Sequence, residues 1–383
     1  MAQLSFWEKT SFFAPQDIII AGSGFTGLWS AFQLKLINPG LKITILERGL
    51  IPTGASTRNA GFSCFGSPGE LLVDAEAMGE ESMWKLVEMR YKGLLEIRKH
   101  FTEANIDYDA CGGYECFSKN SADWEDCADK REWLNKGLKN ITGADDLFKI
   151  ADDKLNTFGF KGFDHLIENR LEAGLHPGKL IQALLQKVQS MGVQVLTGVE
   201  VVSYEKHRHG IEVQTTLPFS ENDDFKFTTQ QLLLCTNAFT KHLFPSIDII
   251  PNRGQVLITA PIKNLAIKGT FHFDKGYYYF RNVGDRLLLG GARNVAFETE
   301  NTEEMQTTAS IQLALEQFIK NHLLSDTTFT ITDKWSGIMA MGSEKAPIIQ
   351  NIQPNVFCCV RMNGMGVALS PLAAKEAAIL MTR

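Results

Sequence analysis

Three glycines near the start of the chain have the spacing of a nucleotide-binding turn. Gly22, Gly24 and Gly27 follow the apolar run "DIIIA" and open the amphipathic segment "LWSAFQLKL". A buried strand, a tight turn and a helix in that order can present backbone N–H groups to a pyrophosphate. The first glycine permits the turn, the second lets the phosphates approach, and the third lets the helix pack closely. The pattern predicts a bound dinucleotide.

An acidic residue supports this prediction. Glu47 ends a second apolar run, "ITILE", 25 positions after Gly22. A carboxylate at that place can accept both hydroxyls of an adenosine ribose, and it would repel a 2′-phosphate, which disfavours NADP. The segment "GASTRNAG" that follows is small and polar. It suits contacts along an extended cofactor such as FAD, but an ordinary glycine-serine loop has the same composition, so NAD also stays open on these residues alone.

The other helices and strands are predicted from hydrophobic periodicity and from the residue types that begin or end such elements. Long helical patterns cover residues 79–105 and the segment "SADWEDCADKREWLNKGLKN", while short strand-like runs dominate residues 211–289. The strand "NVFCCV" precedes a glycine-bearing loop, and Ser370 with Pro371 predicts the start of a last helix. The predicted fold class is α/β: a Rossmann-like nucleotide-binding domain (1–85, 160–245 and 333–383) interleaved with a β-rich substrate domain (86–159 and 246–332).

Composition narrows the class of protein. Hydrophobic residues make up 44% of the 383 residues, charged residues 21%, and the net charge is −6. These values indicate a globular protein and argue against a nucleic-acid partner. No apolar run approaches the roughly 18 residues of a membrane span, and no leader pattern opens the chain, so a cytoplasmic protein is predicted. The seven cysteines lack zinc-site or redox-motif spacing, and no metal site is expected.

Several motifs together resemble one known family. They are "DIIIAGSGFTGLWSAFQL", "ILERG", "GASTRNAGF", "GLHPGKL", "LLLCTNAF", "RGQVLIT", "YYYFRNVGDRLLLGG" and "NGMGVALSPLAAKEAA". In this order they resemble the D-amino-acid oxidase-like (DAO) family of flavoproteins, which contains glycine oxidase, sarcosine oxidase and gamma-glutamylputrescine oxidase. The resemblance spans nearly the whole chain, and it implies that the cofactor is FAD.

The resemblance also implies a set of FAD-binding residues. The glycine turn would receive the pyrophosphate, Glu47 the ribose, the segment from Ser56 the ribityl chain and ring, and Val201 the adenine. The carboxy-terminal loop would lie beside the flavin pyrimidine. The implied residues are Gly22, Gly24, Phe25, Thr26, Gly27, Glu47, Arg48, Ser56, Thr57, Arg58, Asn59, Ala60, Gly61, Val201, Gly337, Gly364, Met365, Gly366 and Val367.

The activity that the resemblance implies is oxidation of a C–N bond in a small amine or amino-acid derivative. Hydride would pass from the carbon to flavin N5, and the resulting imine would hydrolyse. Tyr277, Tyr279 and Arg281 alternate on one predicted strand, so they would share a face and could orient the substrate. Met365 is a further candidate for contact with the substrate, and Arg361 is another possible cation. The alternatives are a nucleotide-binding protein without amine turnover and an NAD-dependent dehydrogenase.

Three positions depart from the family pattern. Gly337 stands where sarcosine oxidase-like members carry the cysteine that binds flavin covalently, so FAD is expected to be non-covalent. Leu288 replaces the lysine that assists reaction with oxygen, which leaves oxygen or another electron acceptor open. Met339 replaces the arginine that holds the substrate carboxylate in glycine oxidase-like members. A substrate bound in the glycine oxidase manner is therefore not expected.

Overall fold

The computed structural model of the chain describes residues 4–119, 121–216 and 225–383. The chain divides into two compact units, each discontinuous in sequence. The first unit comprises Met1–Thr57, Gly178–Pro251 and Met339–Arg383, and the second comprises Arg58–Pro177 and Asn252–Ile338. No helix in the described ranges is both long enough and apolar enough to cross a membrane.

The helices of the described residues fall mainly where the periodicity predicts them. The long pattern at residues 79–105 forms two helices because the first ends before Phe101, and Thr102 caps the second. The helices are α1 (Phe6–Thr10), α2 (Phe25–Ile37), α3 (Ala55–Arg58), α4 (Pro68–Met78), α5 (Glu80–His100), α6 (Glu103–Ile106), α7 (Ala122–Thr142), α8 (Leu155–Phe158), α9 (Pro177–Ser190), α10 (Thr240–Leu243), α11 (Phe297–Glu300), α12 (Ala309–Phe318) and α13 (Gly366–Met381).

The strands form one large sheet in each unit and a small two-stranded sheet in the second. They are β1 (Gln16–Ala21), β2 (Ile43–Glu47), β3 (Phe62–Ser63), β4 (Gly113–Phe117), β5 (Phe148–Ile150), β6 (His165–Asn169), β7 (Ala173–Gly174), β8 (Gln194–Thr197), β9 (Glu200–His207), β10 (Gly210–Thr216), β11 (Phe225–Leu234), β12 (Ile250–Thr259), β13 (Thr270–Phe273), β14 (Tyr278–Val283), β15 (Arg286–Gly291), β16 (Ile331–Met341), β17 (Ile348–Gln353) and β18 (Val356–Val360).

The sheet of the first unit is parallel at its centre. Its order is β17-β18-β11-β1-β2-β8, and the hairpin β9–β10 extends it from β11. β1 pairs in parallel with β2 and with β11. Ile18, Ile19 and Ile20 of β1 are almost fully buried, as expected of a strand covered on both faces. This arrangement is Rossmann-like and places the turn after β1 at the carboxyl edge, where ligands bind in such sheets.

The second unit contains a mostly antiparallel sheet in the order β16-β12-β15-β14-β13-β4-β6-β5. One face packs on an aromatic core that includes Phe271, Phe280 and Phe318. The opposite face, which we call the Tyr279 face, carries Val256, Leu288 and Tyr279, with Ala60 and Phe62 packed against them. Side-chain alternation along β12, β14 and β15 produces the two faces. The α/β fold class is confirmed, with one parallel-centred and one β-rich unit.

The predicted start of the last helix is wrong. α13 begins at Gly366, and Pro371 lies inside it. Asn363 and Gly364 turn the chain with positive φ angles, and the amide of Leu369 already donates to the carbonyl of Met365 at 2.9 Å. The Ser370 hydroxyl, expected to cap the helix, instead lies 3.3 Å from the Thr26 hydroxyl on α2. A long-range contact therefore replaces the predicted local cap.

Candidate active site

The turn after β1 requires glycine at positions 22 and 27. Gly22 has a φ of +98°, and a Cβ there would come 2.8 Å from the carbonyl oxygen of Cys235. A Cβ on Gly27 would overlap the carbonyl oxygen of Gly22. Because both neighbours are backbone atoms, they cannot move aside cheaply. These two glycines set the turn and bring α2 against it.

The N-terminus of α2 is built to receive an anion. Gly24 is its N-cap residue and offers no side chain to the free amides of the first turn. The Ser56 hydroxyl accepts a hydrogen bond from the Phe25 amide at 2.9 Å, and a Cβ on Gly24 would lie 2.9 Å from the same oxygen. The 13-residue helix directs its positive end to this point. The surroundings therefore fit a pyrophosphate.

Glu47 is held in place at the carboxyl end of β2. Its Oε2 accepts hydrogen bonds from the amide of Ser23 at 2.9 Å and from the Ser23 hydroxyl at 2.8 Å. Its Oε1 accepts from the amide of Gly49 at 2.9 Å. A carboxylate has about four acceptor positions, so Glu47 keeps acceptor capacity for a ribose hydroxyl. Ser23 was not predicted, because its contact with Glu47 exists only once β1 and β2 pair.

Charged, aromatic and apolar residues lie around the segment that follows Glu47. The guanidinium of Arg48 lies 3.8 Å from the centre of the Phe239 ring and 3.8 Å from a carboxylate oxygen of Glu200. Val201 lies in β9 and pairs with Thr215 of β10. The amide of Val199 donates to the main-chain carbonyl of Glu47 at 2.8 Å. Val199 is thus tied directly to the end of β2, whereas Val201 belongs to the hairpin.

The carboxy-terminal loop meets the glycine helix within the first unit. Gly364 has a φ of +81° and is exposed, Met365 caps α13, and Gly366 and Val367 begin it. Thr26 in the first turn of α2 approaches Ser370 of α13 through their hydroxyls. The glycine turn and the loop before α13 are therefore brought together by the pair of helices α2 and α13.

The segment at residues 58–61 is fixed inside the second unit. Arg58 Nη1 donates to the carbonyl of Ser336 at 2.9 Å, next to the buried Gly337, and its own carbonyl accepts from Trp335 Nε1 at 2.9 Å. The Asn59 side chain accepts from the amide of Gly61 at 2.9 Å. Thr57, at the end of the first unit, bonds through its hydroxyl to the carbonyl of Pro52 at 2.6 Å.

Comparisons with known proteins identify the family. The profile described as "FAD dependent oxidoreductase" (DAO) matches residues 17–380. The chain belongs to this family. It is 23% identical to "Probable oxidoreductase OrdL" of Haemophilus influenzae, over 94% of this chain and 81% of the relative. It is 22% identical to "Gamma-glutamylputrescine oxidoreductase" of Escherichia coli, over 95% and 83%.

Solved structures show the same fold. L-proline dehydrogenase from P. horikoshii superposes with a TM-score of 0.74 at 16% identity, covering 96% of this chain and 93% of the other. The predicted family and the predicted cofactor, FAD, are thus confirmed. The bare glycine turn, the α2 N-terminus and Glu47 are features of this FAD-dependent oxidoreductase that fit the pyrophosphate and the ribose of an ADP group.

Residues predicted to orient the substrate lie on the Tyr279 face. Tyr277 immediately precedes β14, and Tyr279 contacts Phe62 edge-to-face, with ring centres 5.9 Å apart. Burial raises the pKa of Tyr279 to about 12, while the charge of Arg293 opposes the shift. The phenol of Tyr279 is therefore a hydrogen-bond donor at neutral pH. Leu288, in place of a lysine, belongs to the apolar cluster with Ala60.

Two arginines predicted to bind the substrate instead form hydrogen bonds, and in one case an ion pair, with other residues of the protein. Arg281 is 8% exposed, and its Nη1 donates to the carbonyls of Gly61 and Leu175, the latter at 3.0 Å. Arg361 pairs with Asp248, and its Nε donates to the carbonyl of Ala346 at 3.1 Å. Both side chains thus fix loops of the fold.

A buried group of ionisable side chains borders the Tyr279 face. His272 lies opposite Tyr279 in the register of β13 and β14, and its Nε2 is 3.0 Å from Glu172 Oε2. Its Nδ1 is 3.6 Å from Glu70 Oε2. Burial opposes protonation, but the carboxylates of Glu172 and Glu70 raise the pKa of His272 to about 9. His272 is therefore a buried cation, which the sequence pattern does not predict.

Arg281→Met is expected to destabilise the protein. It would leave the buried carbonyl of Leu175 without the Arg281 donor and would remove one of the two donors to the Gly61 carbonyl, which also accepts from the Leu175 amide at 2.8 Å, at a cost of about 3 kcal/mol. Thermal unfolding of the FAD-loaded protein measures the loss, and Arg208→Met, at an exposed position, is the control. An Arg281→Met variant as stable as the control would contradict the assigned role.

Proposed function

We propose that this FAD-dependent oxidoreductase oxidises the C–N bond of a small amine or amino-acid derivative, with FAD held non-covalently. FAD, when bound, accepts the hydride that leaves the carbon next to the amine. The observation that carries the proposal is the Tyr279 face, where Tyr277, Tyr279 and Phe62 stand beside the fixed segment at residues 58–61. The names of two similar proteins, which specify gamma-glutamylputrescine and L-proline, support an amine substrate.

The chain's own residues would orient the substrate and exclude water. The Tyr279 hydroxyl stays protonated at neutral pH and can donate to an oxygen of the substrate. Ala60, Leu288 and Val256 give the same face an apolar floor that keeps water from the reacting carbon. No side-chain base is assigned, because an amine that binds in its neutral form needs only orientation next to the flavin.

Flavin bleaching tests the proposal. The purified protein is expected to be yellow and to release free FAD on heating or in acid. Secondary amines, N-methyl amino acids and gamma-glutamyl amines are then added anaerobically, with matched 2-hydroxy acids as the second arm. We expect an amine to bleach the flavin absorbance, and peroxide formation in air then separates an oxidase from a dehydrogenase. Bleaching by 2-hydroxy acids alone, or a protein that cannot be loaded with FAD, would refute the proposal.

A further inference from the structure

Arg293 places a guanidinium beside the Tyr279 face without a carboxylate partner. It follows Ala292, which has a φ of +59° and ends β15 with a sharp turn. Its Nη1 donates to the side-chain oxygen of Asn252, and its guanidinium carbon lies 5.2 Å from the centre of the Phe297 ring. Among the described residues it forms no ion pair. The half-buried charge is therefore in direct contact with one neutral amide and one aromatic ring, and the charge of Glu300 acts on it from a greater distance.

The buried carboxylate of Glu300 is already engaged by other side chains. Glu300 accepts hydrogen bonds from Arg253 Nε at 2.9 Å and Nη2 at 2.8 Å, and from Gln255 Nε2 at 2.9 Å. Along β12, Arg253 and Gln255 alternate with Asn252 and Val256, so they point to the opposite face of the sheet. Asn252 shares the face of Val256, which is the Tyr279 face. Arg293, bound to Asn252, is thus directed away from the arginine–glutamate pair.

Phenols and aromatic rings surround the Arg293 side chain. The ring of Tyr277 meets the ring of Phe297 edge-on, with centres 5.5 Å apart, and Arg293 lies over that same ring. Burial lowers the pKa of the guanidinium, and electrostatic interactions with Tyr277, Tyr279 and the more distant Glu300 oppose this shift. A partly desolvated cation among such groups is unfavourable by itself and is stabilised by a compact anion.

We infer that Arg293 binds the carboxylate of the substrate, with the hydroxyls of Tyr277 and Tyr279 as donors beside it. The guanidinium fork suits a planar carboxylate. This inference rests on the proposed function and specifies its substrate class: an amine that also carries a carboxylate. It also explains how a carboxylate could be bound although position 339 is a methionine. Arg293, just after β15, would bind the carboxylate, and Arg281 would keep its hydrogen bonds to Gly61 and Leu175.

The test uses FAD-loaded protein and a probe that is not turned over. Phenylacetate supplies a carboxylate and an aromatic ring, and phenylacetamide is its neutral counterpart. Binding is followed by the change in flavin absorbance and by the shift in unfolding temperature. We expect Arg293→Gln to raise the Kd for phenylacetate by roughly 30-fold. Arg293→Lys, which keeps the charge, should lose less, and Arg208→Gln should match the wild type.

The outcomes separate this inference from the proposed reaction. Phenylacetamide is expected to bind far more weakly than phenylacetate, with no further loss in Arg293→Gln. Equal binding of acid and amide, or unchanged phenylacetate binding in both Arg293 variants, would overturn the inference. If no amine bleaches the flavin but phenylacetate binding still depends on Arg293, the proposed reaction fails while the carboxylate site stands. If an amine bleaches the flavin but phenylacetate binding does not depend on Arg293, the proposed reaction stands and the carboxylate site fails.

Discussion

Replacing Gly24 by valine is expected to abolish retention of FAD in a protein that still folds. A Cβ at position 24 would come 2.9 Å from Ser56 Oγ, and a branched side chain would fill the space over the α2 N-terminus. Only a flexible hydroxyl faces position 24, so the fold can adjust, but a pyrophosphate cannot share the space. A clash of about 3 kcal/mol corresponds to a loss of affinity of roughly 100-fold.

The measurement is the flavin content after gel filtration, with the Kd for FAD determined on the reconstituted apoprotein. Gly40→Val is the matched control, because Gly40 lies in the exposed loop after α2 and a Cβ there would meet only the side chain of Asn38, at 3.3 Å. Circular dichroism establishes that both variants are folded. A folded Gly24→Val protein that keeps its full complement of FAD would show that the pyrophosphate lies elsewhere.

The glycine turn and the position of Glu47 were predictable from sequence because their determinants are local. Gly22 and Gly27 are needed where the chain must turn and where α2 approaches the backbone, and both needs leave a fixed spacing. Glu47 falls at the end of an apolar run and is found at the end of β2. Ser23 escaped notice, because a serine within a glycine turn has no distinctive pattern until β2 brings Glu47 to it.

The substrate end was less predictable because charged side chains choose partners that are distant in sequence. Alternation correctly placed Tyr279 and Arg281 on one face of β14. It could not show that Arg281 reaches Gly61 and Leu175, which lie 220 and 106 positions away. Arg293 was overlooked for a related reason. It lies beyond the end of β15, where periodicity stops, and its position depends on the turn at Ala292.

His272 illustrates how strand order creates chemistry that composition cannot reveal. Glu115 lies opposite it in the parallel pair of β4 and β13, and Glu172 reaches it from the turn after β6. Burial raises the pKa of Glu115 to about 8, so this carboxyl is largely protonated at neutral pH. The group thus holds a protonated carboxyl beside the His272–Glu172 pair, directly behind Phe62, whose ring centre is 5.3 Å from the imidazole.

Replacing Glu172 by glutamine is expected to destabilise the protein by about 3 kcal/mol at pH 6.5, because it removes the closest counterion of the buried His272 cation and leaves only Glu70, at 3.6 Å. The pKa of His272 is raised from 6.5 to about 9 by its carboxylates, against burial. Its stabilising contribution is therefore complete below about pH 6.5 and is lost as the pH rises through 9. The difference in unfolding temperature between wild type and Glu172→Gln should shrink over this range.

Thermal unfolding of the FAD-loaded proteins at pH 6.5 and pH 9.5 measures this difference, which we expect to be roughly 5 °C at the lower pH and near zero at the higher. The amide oxygen of glutamine can still accept from Thr270, and only the long contact from Asn169, at 3.4 Å, is lost, so the substitution removes charge more than shape. Glu88→Gln, which removes a carboxylate from an exposed pair with Lys92, should change stability little at either pH. A Glu172→Gln deficit that stays constant from pH 6.5 to pH 9.5 would mean that His272 is neutral throughout, because only its loss of charge makes the deficit depend on pH.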